Sequence, residues 1–496
     1  MTAAYELLKD SNKYQVTILE KSDEIGGISK TIKYKDYRMD IGGHRFFSKD
    51  KSIMNFWKEL MPIQGKLSYD DKKLNRKKEL NNIGPDPEKD DEVMLIRNRV
   101  SRIYYLKKLF NYPISLNFKT LKNLGIKNTF LVGMSYLKVC FTKKEEKNLE
   151  DFYINRFGKK LYKMFFEKYT EKLWGRVPSK ISKDWGAQRV KGISIKEVIK
   201  NAIWKNNKKE TSLIEEFWYP KYGPGQLWEI LAKKIEEMGG RIEKNAIVEK
   251  LCIENEKISK IEYKENGEVK IKDADIVFST MPLKDLVLGI QDNNKNEVDK
   301  LAESLPYRDF ITIGVLVDEL NLKNETKIET LGNIIPDCWI YVQDANVKMC
   351  RLQIFNNWSP YLVKEPEKNI WIGLEYICSK EDEIWKMNEE NFKEYAITEL
   401  EKIGIIEKEK IKDYHIEKVE KAYPAYFDSY SEIEKIRKYL DRFENLYCIG
   451  RNGQHRYNNM DHSMMTAIEA VKNIKESTVK KDNVWNVNIE KEYQEG

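Results

Sequence analysis

The sequence predicts an α/β protein in which a discontinuous nucleotide-binding domain is interrupted by a helical region and an antiparallel-sheet region. Three observations carry this. Strand-then-helix patterning occurs at both ends of the chain, an amphipathic, aromatic-rich helical pattern runs from about Asn148 to Lys208, and a strand-rich stretch runs from about Ile311 to Tyr376. The 496 residues also exceed what one hydrophobic core supports, so two or three domains are expected.

Residues 3–9 (AAYELLK) read as the end of a short helix, and Val16–Glu20 (VTILE) as a buried strand ending on an acid. Gly26 and Gly27 then mark a tight turn. Residues 61–92 are highly charged and contain Gly84-Pro85-Asp86-Pro87, the pattern of a solvated insertion. From Arg97 to Lys108 cations alternate with Tyr104 and Tyr105, which reads as a half-buried strand pair near an anionic site. Ile311–Val317 and Trp371–Tyr376 read as alternating strands, and Asn356–Tyr361 as a turn followed by an extended segment. His462–Ile474 reads as a Met- and Ala-rich helix that follows the glycines of Gly450–Gly453. No internal repeat is present.

Composition narrows the function classes. Hydrophobic residues make up 41% and aromatics 11%, enough for packed cores. The net charge is +7 with both signs interspersed, a weak match to an anionic small substrate and not a nucleic-acid-binding signature. The six cysteines form no C-x-x-C pair and have no accompanying His cluster, so no metal site and reduced thiols are expected. No apolar run reaches the length of a transmembrane helix, and no signal-peptide pattern opens the chain, so a cytoplasmic protein is expected.

Three short motifs point to FAD. Glu20 ends the strand VTILE, where a carboxylate accepts hydrogen bonds from ribose hydroxyls, and Gly26-Gly27 follow at the spacing seen in flavoproteins. Asp40-Ile41-Gly42-Gly43-His44 places two glycines where backbone can approach a flat ring, beside a histidine that can touch it. Near the other end, Gly450-Arg451-Asn452-Gly453 and Met460-Asp461-His462-Ser463 form a strand, a glycine turn and a helix N-terminus, which suits a pyrophosphate or an anionic flavin. The phosphate-cradling G-x-G-x-x-G is absent. Met1-Thr2-Ala3-Ala4-Tyr5 looks like the inside of the helix that should follow it, so the first strand and its glycines are expected upstream of Met1.

Seven ordered segments carry a family resemblance. They are Gly42-Gly43-His44-Arg45-Phe46-Phe47-Ser48, Tyr169–Gly175, Trp185–Val190, Gly223–Trp228, Ser279-Thr280-Met281, Arg351–Tyr361, and Gly450–Tyr457 continuing through Asp461-His462-Ser463. The sequence resembles the UDP-galactopyranose mutases of the amine-oxidase-like flavoprotein superfamily. The resemblance implies a Rossmann-like FAD-binding domain built from residues 1–60, 216–290 and 430–478. It implies a helical domain at 120–215 and an antiparallel-sheet substrate domain from 93–119 and 291–429, with a tail at 479–496. It implies a redox-neutral interconversion of a nucleotide sugar, for cell-surface polysaccharide synthesis. The flavin would be kept reduced, with NAD(P)H as a candidate reductant. His44, Arg189, Arg351 and Trp174 would be catalytic, Tyr341, Tyr423, Tyr457 and Asn356 would bind substrate, and Val248, Arg451, Asp461, His462 and Ser463 would join the glycines and Glu20 around the cofactor. Arg189 and Arg351 would grip the diphosphate, because a guanidinium presents a planar fork of donors. Thr170 stands where some relatives carry Asn, and the segment between Tyr457 and Asp461 is shorter than in the longer mutases.

Other readings stay open. An oxidoreductase of the protoporphyrinogen or amine oxidase type shares the same motifs, and a flavin-fold protein without cofactor fits the missing glycine turn. Taken alone, Trp174 suits a core, and Arg189 and Arg351 suit surface ion pairs. The expected partner is a small nucleotide sugar, not a nucleic acid, and the sequence leaves homo-oligomerisation open.

Overall fold

A seven-stranded sheet gathers strands from three separated stretches of the chain. The computed structural model describes residues 1–10, 13–112, 114, 118–183 and 216–487. Helix α1 (Thr2–Leu8) and strand β1 (Thr17–Leu19) open the chain, followed by the hairpin β2 (Thr31–Tyr34) and β3 (Tyr37–Asp40) and by helix α2 (Lys51–Leu60). Helix α3 (Tyr69–Lys73) precedes strands β4 (Met94–Asn98), β5 (Ser101–Tyr105) and β6 (Lys108–Asn111). Helices α4 (Phe118–Phe141), α5 (Leu149–Tyr162) and α6 (Lys168–Trp174) come next, with a π-helical stretch at Lys163–Glu167.

After β7 (Glu216–Pro220), helix α7 (Pro224–Glu237) leads to β8 (Arg241–Glu243), which pairs in parallel with β1. Pro224 sits at the first position of α7, where its missing N–H costs nothing. Gly223 takes a φ of 95°, and the Gly225 N–H donates to Thr31 Oγ1. These contacts lock the helix start against β2. Strands β9 (Ala246–Glu254), β10 (Lys257–Glu265) and β11 (Glu268–Asp273) form an antiparallel meander. A second parallel pair joins β12 (Val277–Ser279) to β18 (Leu446–Cys448).

The large sheet runs β17 (Ile411–Pro424), β13 (Tyr307–Val317), β16 (Ile370–Cys378), β15 (Arg351–Ile354), β14 (Trp339–Val342), β5, β6. It is antiparallel except where β14 meets β5. The alternation expected for Ile311–Val317 is overruled, because β13 is buried on both faces. Ile311, Ile313, Val315 and Val317 pack with Phe392, Ala396 and Leu400, while Phe310 and Leu316 pack with Trp358 and Trp371. Gly314 and Gly373 face each other across β13 and β16. A Cβ on Gly314 would stand 2.3 Å from the Trp371 ring, and one on Gly373 would stand 2.7 Å from Phe355. The bare backbone makes room for the two aromatics.

Two local readings are corrected. The charged stretch 61–92 is not simply solvated, since Asp70 and Asp71 are buried. Asp70 pairs with Arg97 and Arg76 at 2.9 Å, and Asp71 with Lys78 at 2.6 Å. Asn356–Tyr361 forms the short helix Phe355–Trp358 and a 3-10 turn at Pro360–Leu362 instead of an extended run.

Candidate active site

A cavity of about 1210 Å³ lies between the first parallel pair and the large sheet. Its far end is lined by Glu20, Gly26, Gly27 and Val248. Glu20 follows β1, and its Oε1 accepts from the Ser22 N–H at 2.9 Å and the Ser22 hydroxyl at 2.8 Å. Gly27 has a φ of 56° and open space where a Cβ would be.

Gly42, Gly43 and His44 line the middle, at the end of β3. Gly42 takes a φ of 88°, and nothing stands within 4 Å of its missing Cβ. A flat ring could lie against that backbone, which a side chain would prevent. His44 opens one face on the cavity but is otherwise enclosed by protein. Burial and the neighbouring Arg451 guanidinium push its imidazole down to about 3, so it is neutral near pH 7. Its Nδ1 lies 3.1 Å from the Gly42 carbonyl oxygen, which can only accept. Nδ1 therefore carries the proton, and Nε2 is left as an acceptor.

Opposite them, helix α8 (Met460–Lys475) starts at the cavity wall. Asp461 accepts from the Ser48 hydroxyl at 2.9 Å and from the His462 N–H at 2.9 Å, tying this helix start to the chain beyond Gly42-Gly43. His462 Nδ1 accepts from the Asn459 N–H at 3.4 Å, and the Ser463 hydroxyl donates to Asn458 at 2.9 Å. Gly450 needs its φ of 76° to turn the chain after β18.

Cations and phenols gather at the near end. Arg451 is held by two bonds to the Asn458 carbonyl, at 3.1 and 2.9 Å. It stacks 4.7 Å above the Tyr457 ring and 5.4 Å from Tyr423. Those two rings are parallel, 6.0 Å apart. Arg351 donates to the Tyr423 hydroxyl at 3.0 Å, and its Nε lies 2.5 Å from the buried Glu375 carboxylate. Burial opposes the Arg351 charge, but Glu375 and the phenols of Tyr423, Tyr169 and Tyr457 more than offset it and hold the guanidinium protonated. Tyr341 stacks on Tyr112 at 4.4 Å and meets Tyr169 edge-on. Arg45 sits 4.5 Å over Trp339.

The structure thus brings sixteen of the nineteen expected positions to one cavity, leaving out Arg189, Trp174 and Asn356. Arg189 lies outside the described residues, as does Trp185. Trp174 ends α6 and packs into the aromatic core, edge-on to Tyr426, without lining the cavity. Asn356 is also displaced. Its amide donates to the carbonyls of Pro366 and Asn369, and its oxygen accepts from the Trp371 N–H, so it is consumed in holding β16. Sequence reasoning missed Glu375, whose signal was an acid inside the apolar run Trp371–Cys378. It also missed Tyr112 and Trp339.

Residues 1–459 match the family model for flavin containing amine oxidoreductases. The chain belongs to that family. It is therefore an FAD-dependent enzyme of the amine oxidase superfamily, and the cavity's open glycine backbone, cationic wall and helix start fit such a cofactor. The fold is similar to that of a reduced UDP-galactopyranose mutase, at a TM-score of 0.77 and 19% identity, covering 99% of this chain and 97% of that one. It is also similar to a provisionally assigned protoporphyrinogen oxidase from Exiguobacterium sp., at a TM-score of 0.65 and 15% identity over 96% of both chains. A putrescine oxidase bound to putrescine is similar at a TM-score of 0.54 and 12% identity, again over 96% of both. No described helix is long and apolar enough to cross a membrane.

Proposed function

We propose that this family member is a nucleotide-sugar mutase, interconverting UDP-galactopyranose and UDP-galactofuranose or a close analogue. The observation that carries the reading is the Arg351–Tyr423–Tyr457–Arg451 cluster at the near end of the cavity. A mutase must hold a detached diphosphate while the sugar ring exchanges. Fixed guanidinium and phenol donors suit that task, because charge-assisted hydrogen bonds to phosphate are strong and directional. A bound reduced flavin supplies the electron-rich centre for a redox-neutral exchange at the anomeric carbon. Neutral His44, which lines the same cavity, keeps its Nε2 as a hydrogen-bond acceptor.

The parallel rings of Tyr423 and Tyr457 support a second reading, an amine oxidase with an aromatic cage. Both rings, however, already carry guanidinium groups, which repel an ammonium substrate and attract a diphosphate.

UDP affinity separates the two. In the FAD-loaded chain, Arg351→Ala is expected to weaken UDP binding by about 2–4 kcal/mol in calorimetric titration, with flavin content unchanged. Equal affinity in wild type and variant would remove Arg351 from the diphosphate site.

A further inference from the structure

Helix α4 turns an apolar face outward, where a surface helix ordinarily places its charges. Gly125, with a φ of 77°, breaks the helix near its start. Beyond it, Val132 and Val139 are buried. The Ser135 hydroxyl accepts from the Lys160 N–H at 2.9 Å, where Gly158 of α5 lets the two backbones approach. On the opposite side Ile126, Phe130, Met134, Leu137 and Phe141 recur every three to four residues and form one stripe. They are exposed by 92, 67, 52, 54 and 87% respectively. The stripe is about 22 Å long at 1.5 Å per residue. Lys127 and Lys138 flank it on one side, both exposed, and Lys143-Lys144-Glu145-Glu146-Lys147 follows its end with a net positive charge, Lys147 lying 3.9 Å from Glu145 and Glu146 pairing with Arg156 at 2.6 Å.

We propose that this face docks the protein on the surface of an anionic lipid bilayer. The unbroken part of the helix spans about 24 Å, short of the roughly 30 Å hydrocarbon thickness, so it suits lying in the interface rather than crossing. Large apolar side chains along one face with lysines beside them are the pattern of an interfacial helix, whose rings and aliphatics enter the acyl boundary while the ammonium groups meet lipid phosphates. Charge complementarity favours lipid over a second copy of the chain, because a like face adds only lysines to lysines, and in an antiparallel twofold pair the two lysine rows would lie side by side.

Flotation of the purified full chain with vesicles tests this. Binding is expected to vesicles of phosphatidylcholine with about 30% phosphatidylglycerol, and to fall at about 0.5 M salt and with phosphatidylcholine alone. Phe130→Glu with Leu137→Glu should lower binding by about tenfold or more, and Lys127→Glu with Lys138→Glu should abolish the preference for anionic lipid. All four positions are exposed, so unchanged melting temperature and UDP affinity serve as the folding control. Wild-type chain that stays in solution with anionic vesicles overturns the proposal. So does a concentration-dependent dimer, lost in Phe130→Glu with Leu137→Glu, that takes the place of lipid binding.

Discussion

Glu375 is 1% exposed and faces Arg351 directly across β15 and β16. It also accepts from the Gln353 amide at 2.9 Å, which fixes the carboxylate under the guanidinium. Removing only its charge leaves a largely enclosed arginine without its counter-ion, for which the roughly 3–5 kcal/mol of a fully buried pair is the upper bound. Glu375→Gln should therefore melt well below wild type, and adding Arg351→Met should recover most of the loss. A double variant no more stable than the single one would contradict the pairing. A second residue sets a pH dependence. Burial pushes the Asp40 carboxyl up to about 7, against the donations of Tyr219 and Thr31. The folded state therefore holds a proton that the unfolded chain releases near 3.8, and this contribution to stability is lost as pH rises between those values. His44 and His455 act in the opposite sense, because their folded values lie near 3 and 4 and the unfolded chain takes up protons below 6.5. Asp40→Asn should gain stability relative to wild type by about 1.4 kcal/mol per pH unit between pH 4 and 7, seen in urea titrations. A constant difference across that range would refute the assignment. At this scale, the sequence shows residues whose demands are local. Gly42 and Gly450 announce backbone that other residues adopt poorly, whereas Glu375 owes its role to a partner 24 positions away across a strand pair. Asn356 misleads for the same reason, since its partners at Pro366, Asn369 and Trp371 exist only once the chain has folded back.

Among elements, the strongly patterned ones are legible. Helices α1 and α8 and strands β1, β13 and β16 lie where periodicity and glycine turns put them. What patterning does not show is which faces are covered. A strand read as alternating is buried on both sides once Phe392 and Trp371 close over it, and the acids of α3 are buried against cations that reach them from outside the helix, Arg97 of β4 and Arg76 for Asp70, Arg76 and Lys78 for Asp71. The Gly314–Gly373 pair tests the packing account. Gly314→Ala forces a methyl into the Trp371 ring and should lower stability by about 1–3 kcal/mol through overpacking. Gly332, which lies against no side chain closer than 3.9 Å, would be strained by its positive φ alone. A Gly314→Ala chain that melts with wild type would show that Trp371 moves aside freely.

For the whole molecule, chemistry is concentrated where the parts meet. The glycine backbone that follows β3, the start of α8 and charged residues of β15 and β17 all line one cavity. Fold class and cofactor class are legible because they rest on ordered motifs spread along the chain. The reaction is less legible, because mutases and oxidases share those motifs and differ in the groups placed beyond the flavin. The central claim is a redox-neutral exchange that needs reduced flavin. The direct measurement is to incubate the FAD-loaded chain with UDP-galactofuranose, with and without dithionite, and to follow UDP-galactopyranose by chromatography. The account predicts conversion in the reduced sample and none in the oxidised one. A yellow, flavin-loaded protein that leaves the sugar unchanged when reduced, yet consumes an amine or a porphyrinogen with oxygen, would contradict it.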